Sequence, residues 1–360
     1  MNQLQAVREL GQSIWLDYIR RDLIAGGKLR RMVADGLRGM TSNPTIFHKA
    51  ITESNEYDAA IRAILKKEPE IDTQTLYERL AIEDIRMTAD ILRPVYEASN
   101  RVDGMVSLEV SPRLAYDAEG TLAEARRLWG LVNRPNLMIK VPATTEGIPA
   151  VAALLGEGIN INVTLMFSMK HYEDVARAYI SGIEKSDSPA AITSVASFFV
   201  SRVDTYVDRE LEKIGTDEAL ALRGKAAIAN TRLVYRRFQE IFHGEEFAVQ
   251  KKRGARVQRP LWGSTSTKNP AYPDVLYVEE LIGPDTVNTL PPETIDAFCD
   301  HGKVSSTLGS GLPEAEKALN DLNKGIDLDA ITEQLQKDGV KAFADSFEKL
   351  LGSLEEKRKA

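Results

Sequence analysis

The chain has 360 residues, enough for one large α/β domain or two ordinary ones, and 43% of them are apolar, so a sizeable core is available. Its net charge of −7 comes from interspersed acids and bases, which argues against a nucleic-acid or anionic-membrane partner but permits a local basic cluster for a phosphorylated metabolite. The one cysteine, Cys299, excludes an internal disulfide and fits a reducing cytoplasm, and no apolar run is long enough for a membrane helix.

Short β-rich segments alternate with longer helical ones. SIWLDY (13–18) predicts the first strand and 21–34 the helix after it. LRGMTSNP (37–44) carries the second strand, followed by a long helix over 45–67. The next helix, 76–98, places Leu80, Ile82, Ile85, Ala89 and Leu92 close to a helical period. GMVSLEV (104–110) is the third strand and 122–132 its helix; 137–142 is the fourth, followed by a short helix over 147–155. INVTLMF (161–167) is the fifth, and its helix starts near Ser168, a suitable N-cap, and runs to 184. ITSVASFFV (192–200) is the sixth, with helices over 204–213 and 224–242. After the basic loop KKRGARVQR comes the seventh, RPLWGSTS, then a short helix over 272–281. DTVNTLPP (285–292) is the eighth, and 292–299 begins its helix.

Eight strand-then-helix units predict a (β/α)8 barrel over residues 1–303. A doubly wound sheet would carry a Gly-rich phosphate turn after its first strand, and SIWLDYIRR has none. After Lys303 the pattern changes. KVSSTLGSGLPE reads as a connector, 327–354 as an amphipathic helix packed on the barrel, and EEKRKA as a solvated tail, so 304–360 is expected to be a C-terminal helical extension. No Cys/His metal spacing, Walker loop or dinucleotide fingerprint is present, and the four histidines are scattered.

The fourth strand, LMIKVP, carries a lysine inside an apolar run. Leu137, Ile139 and Val141 point one way and Met138, Lys140 and Pro142 the other. Burial and nearby cations favour a neutral amine, the species that attacks a carbonyl to form a Schiff base. A lysine at a strand end could equally keep its ammonium in water or on a carboxylate.

In such a barrel, function gathers at the C-terminal ends of the strands. Those ends carry Asp17, then Thr41, Ser42 and Asn43, then Glu109, Lys140, Asn162 with Thr164, Ser197 with Arg202, and Ser264 with Lys268. Each has a plainer role open to it: Asp17 could cap a helix, Asn43-Pro44 could be only a turn, Ser197 could be packing, and Glu109 could pair with Arg113. Together they suit aldol chemistry. Lys140 would capture a ketone, Asp17 would serve as the base on the neighbouring hydroxyl, and Glu109 with Thr164 would shuttle protons through a water. Asn43, Asn162 and Ser197 could hold hydroxyls, and Arg202 and Lys268 a phosphate.

Five segments in order and spacing resemble the transaldolase family: GMTSNPTIF (39–47), VSLEVSPRLAYD (106–117), LMIKVPATTEGI (137–148), GININVTLMFS (158–168) and SFFVSRVD (197–204). The likeness is strongest to the long bacterial transaldolases. It implies a class I enzyme, with no metal and no cofactor, that moves a dihydroxyacetone unit from sedoheptulose 7-phosphate to glyceraldehyde 3-phosphate. It implies Lys140 as the Schiff-base lysine, Asp17 as acid/base, and Glu109 and Thr164 on the water. Thr41, Asn43, Asn162 and Ser197 would serve the donor, and Arg202 the phosphate. The family's seventh-strand loop commonly reads Ser-x-Arg; in this chain it reads GSTSTKN, which places Ser264 and Lys268 there. The expected partners are sugar phosphates alone, with no nucleic acid or membrane, and the protein is taken as a cytoplasmic monomer or homodimer. Two other readings remain: a fructose 6-phosphate aldolase, whose chains are much shorter, and a non-catalytic sugar-phosphate-binding barrel.

Overall fold

The computed structural model describes residues 2–359. Eight parallel strands close into a barrel in sequence order. They are β1 Gln12–Asp17, β2 Gly39–Thr41, β3 Met105–Glu109, β4 Leu137–Pro142, β5 Ile161–Met166, β6 Ser194–Phe199, β7 Arg259–Gly263 and β8 Thr286–Leu290. Closure comes from β1 pairing with β8, with Trp15 opposite Thr289. The (β/α)8 expectation is met, with the additional helices wrapped outside.

The pleat explains what fills the ring. Alternate residues face inward. Trp15, Met105, Met138, Val195, Leu261 and Val287 form an apolar cluster inside it, separate from the larger core between strands and helices. Two residues earlier, Ser13 and Arg259 lie at the N-terminal end, where the buried Asp103 accepts hydrogen bonds from Ser13 Oγ at 2.8 Å and Arg259 Nη2 at 3.0 Å. Two residues later come Asp17, Thr41, Ser107, Lys140, Ser197 and Thr289. The barrel is therefore a charged plug, an apolar layer and a polar mouth in succession. Leu137, Ile139 and Val141 all face the helices, on the side opposite Met138 and Lys140, so the alternation expected of the fourth strand holds.

Helix starts follow their caps. Asn43 accepts from Ile46 N with Pro44 at the first helical position, Asp72 accepts from Thr75 N, Asp117 from Gly120 N, and Ser168, as expected, from His171 N. Several predicted helices divide. Residues 21–34 form Arg21–Ala25 and Lys28–Ala34, because Gly27 turns the chain at φ +77°. The predicted helix 45–67 is Pro44–Thr52 and Asp58–Lys67. Between them Ser54 Oγ donates back to Ala50 O at 2.8 Å, and Glu56 takes Arg20 Nε at 3.0 Å and Asp22 N at 2.8 Å, tying the turn to the loop after β1.

The predicted helix 272–281 contracts to Leu276–Glu279. Helices Gln3–Glu9 and Leu312–Leu322 were not expected; the second begins inside the Ser/Gly-rich connector. The last helix, Leu328–Lys359, continues through the segment expected to be a solvated tail. There Lys357 Nζ donates to Asp58 at 2.7 Å and Arg358 Nη1 to Ile71 O at 2.9 Å. No described helix is long and apolar enough to cross a membrane.

Candidate active site

A cavity of about 390 Å³ opens at the C-terminal ends of the strands. Its lining includes Asp17, Thr41, Asn43, Lys140, Thr164, Ser197, Arg202, Ser264 and Lys268, nine of the twelve strand-end residues singled out from sequence. Glu109, Asn162 and Ser42 do not line it but adjoin Lys140: the strand register sets the first two beside it on neighbouring strands, and Ser42 O accepts from it.

Lys140 is 4% exposed. Its Nζ donates to Ser42 O at 3.1 Å and lies 3.2 Å from Glu109 Oε2. The Glu109 contact is a close ion pair rather than an aligned hydrogen bond, since Oε2 has no hydrogen-bond partner of good geometry. Arg113, the partner Glu109 could have had, pairs instead with Glu348 at 2.7 Å. Burial pushes the Glu109 carboxyl up; Lys140 opposes this and the Asp17 charge adds to it.

Asp17 does not cap a helix. Its Oδ1 accepts from Thr41 Oγ1 at 2.7 Å, and that hydroxyl also lies 2.7 Å from Thr289 Oγ1. Burial raises the Asp17 carboxyl, against the lowering influence of Lys140, the Thr41 hydrogen bond, Arg202 and Lys268. Two carboxyls with raised values therefore flank one lysine, an arrangement typical of proton-transfer sites.

Asn162 Oδ1 accepts from Ser197 Oγ at 2.6 Å, and its Nδ2 donates to Ser107 Oγ at 3.0 Å. This fixes the amide's orientation and leaves one N–H unassigned. Thr164 Oγ1 is buried without a partner, directly on the cavity. Beyond it β5 bulges, with Leu165 at φ +63°. Asn43 has a dual position: it caps a helix and faces the cavity.

At the far end Arg202 lies over the Phe199 ring at 5.2 Å. Among the described residues no carboxylate forms an ion pair with Arg202 or Lys268, whose Nζ donates to Ser266 Oγ at 2.6 Å. Burial lowers both cations, and Arg202 lowers Lys268 further. The half-buried Arg202 and the exposed Lys268 thus face one cavity without an ion-pairing carboxylate among the described residues, although the Asp17 charge acts on both, an arrangement that suits an anion. Ser264, at φ +53°, exchanges a 3.0 Å hydroxyl contact with Ser201, which anchors the seventh-strand loop beside Arg202.

The strand-end reading missed Thr289, although it occupies on β8 the position equivalent to the others. It also missed Ser42 as the carbonyl partner of Lys140. Phe343, from the last helix, lines the cavity too. Its sequence signal, one position in an apolar helical stripe, spoke only of packing.

A sequence model of the family described as "Transaldolase/Fructose-6-phosphate aldolase" matches residues 14–354. The "Transaldolase" of Thermobifida fusca is 48% identical over 355 residues, covering 97% of this chain and 96% of that protein. The "Transaldolase" of Thiobacillus denitrificans is 49% identical over 360 residues, covering 98% and 100%. "Transaldolase 2" of a Nostoc species is 45% identical over 376 residues, covering 100% and 98%. With a closed eight-stranded barrel and a lysine flanked by two carboxyls at its mouth, this chain belongs to the transaldolase/fructose-6-phosphate aldolase family of enzymes.

Proposed function

We propose that the protein is a transaldolase. It transfers a dihydroxyacetone unit from sedoheptulose 7-phosphate to glyceraldehyde 3-phosphate through a Schiff base on Lys140. The observation that carries this reading is the buried Lys140 amine in the barrel mouth, 3.2 Å from Glu109 and on the same cavity as Asp17.

The attacking species is a free amine, and Glu109 is the nearby acceptor for its proton. Its raised carboxyl makes it a better acceptor than an ordinary one. Lys140 Nζ adds to the C2 carbonyl of the ketose. The carbinolamine then loses water to give an iminium, with the water held by Glu109 and the unpartnered Thr164 hydroxyl. Asp17, oriented by Thr41, takes the proton from the C4 hydroxyl. The C3–C4 bond breaks, its electrons pass into the iminium to form an enamine, and erythrose 4-phosphate leaves. Glyceraldehyde 3-phosphate enters, the enamine carbon attacks its aldehyde, and Asp17 returns the proton to the new alkoxide. Hydrolysis of the iminium releases fructose 6-phosphate and the free lysine. Asn43, Asn162 and Ser197 hold hydroxyls of the trapped unit, while Arg202, Lys268 and Ser264 hold the phosphate.

Residues 1–303 serve as the catalytic barrel and 304–360 as an extension that closes over its mouth. Supporting this, Gln336 Nε2 donates to Ala143 O at 2.9 Å and Leu165 O at 3.0 Å, both just past strand ends or beside the β5 bulge. The lone cysteine, half-buried, fits a cytoplasmic setting.

Borohydride added with fructose 6-phosphate is expected to leave a three-carbon adduct on the Lys140 peptide, and the full assay to require an acceptor aldehyde. A folded protein that binds the sugar without forming an adduct overturns the reading. Free dihydroxyacetone released without any acceptor would place the protein among the aldolases of the family instead.

A further inference from the structure

The last helix presents one face to the barrel mouth. Gln336, Gly339, Val340, Phe343 and Phe347 recur at helical spacing along it. Gln336 fastens this face to the ends of β4 and β5. At Gly339 the backbone comes so near Leu165 that a Cβ would lie 2.8 Å from its side chain. Further along, Thr45 Oγ1 donates to Ser346 Oγ at 2.8 Å, and Arg113 pairs with Glu348. Phe343, 4% exposed, is held between these anchors. Its ring centroid lies 5.6 Å from Lys140 Nζ, and Phe343 lines the cavity at the barrel mouth.

We propose that Phe343 is a further catalytic group, whose ring face stabilises the positive charge of the Lys140 iminium. This rests on the Schiff-base reading of Lys140. The physical reason is donor count. A lysine ammonium has three N–H donors; in this site one reaches Ser42 O, and the Glu109 carboxylate lies 3.2 Å away as an ion pair. A ketiminium carries the same charge with a single N–H. Two donors are replaced by a C=N bond, so hydrogen bonding can no longer disperse the charge as before. A cation within about 6 Å of an aromatic centroid is attracted to the ring's negative face, more strongly where water is excluded. The enamine is neutral and gains little. The ring thus favours the charged iminium that precedes C–C cleavage and the one that follows C–C bond formation with the acceptor.

The test replaces Phe343 by mono-, di- and trifluorophenylalanine, which keep the ring's shape and progressively weaken its negative face, with Phe343→Leu as the apolar end point. Wild-type protein is first trapped with borohydride and fructose 6-phosphate. No wild-type adduct overturns the Schiff-base reading, and this inference with it. Given an adduct, log kcat is expected to fall steadily with fluorine count. The Leu variant should lose about three- to thirtyfold, with KM for the sugar phosphate within a factor of two. A flat series across the fluorinated variants, with melting temperatures unchanged, assigns Phe343 to packing and removes it from the chemistry.

Discussion

Replacing Asp17 by Asn tests the proposed mechanism most directly. The change is nearly isosteric, and an amide oxygen can still accept from Thr41 Oγ1, the 2.7 Å bond that orients the side chain. What is lost is the ability to take the proton from the hydroxyl next to the scissile bond. A positioned base contributes about 10²–10⁴-fold, so turnover should fall by that factor while Lys140 still forms its imine. The structure also fixes the sign of the stability effect. Burial holds the Asp17 carboxyl above its ordinary value despite Lys140, Thr41, Arg202 and Lys268. A carboxyl raised on folding favours the native state fully only below its unfolded value, and that advantage is lost as pH rises through the folded value. At neutral pH this raised carboxyl is therefore a net cost to folding, and the Asn variant should melt at a higher temperature than wild type. The difference should shrink as pH is lowered toward 4, about the unfolded carboxyl's value. Three measurements are needed: the coupled sugar-phosphate assay, borohydride trapping with mass analysis of the Lys140 peptide, and thermal melts at neutral and acid pH. Unchanged turnover removes Asp17 from the reaction. Loss of the trapped adduct along with turnover shows that Asp17 acts before C–C cleavage, and so refutes its role as the base on the C4 hydroxyl.

Arg202→Ala should raise KM for phosphorylated donors roughly ten- to hundredfold, the value of a charge-assisted hydrogen bond, and leave an unphosphorylated ketose nearly unaffected. Equal losses with both substrates would refute phosphate binding at Arg202. Asp103→Ala addresses the opposite end of the barrel. It leaves Arg259 buried without its carboxylate, and breaking such a pair costs about 3–5 kcal/mol, read from urea unfolding, with kcat of the folded protein within a factor of two. Burial pushes the Asp103 carboxyl up, but Arg259, Ser13 and Arg38 together outweigh it and hold it below its ordinary value. This stabilisation is therefore present above the unfolded value of about 4 and is lost as pH falls through the folded one, so the gap between wild type and variant should close in acid. A variant as stable as wild type at neutral pH would show that the plug contributes nothing.

The alternation of strand and helix was legible because both periodicities are local. Period-two alternation in LMIKVP placed Lys140 on the face opposite Leu137, Ile139 and Val141 without any knowledge of its neighbours. Strand ends could likewise be read one at a time, and nine of the residues chosen this way line a single cavity. Local signals also set the limits. The first helix starts on an Asn2–Gln5 capping box, but its 7 residues are too few to show an apolar period. The break at Ser54 depends on a hydroxyl bonding back to Ala50 and on Glu56 reaching Arg20, which no periodicity encodes.

By itself, then, the sequence determined the number of β/α units, the strand face that carries the lysine and the kinds of polar group at the strand ends. Only the tertiary structure decided which of them meet. Glu109 pairs with Lys140 and not with Arg113, because closing the barrel sets neighbouring strands in register while the last helix brings Glu348 to Arg113. Arg202 and Lys268 are left facing a cavity without an ion-pairing carboxylate among the described residues. Phe343 reaches the amine across some two hundred residues of chain, which is possible because the last helix folds back over the mouth and buries its apolar face there. Pairing, desolvation and close approach are properties of distance in space, and distance in space is set by packing.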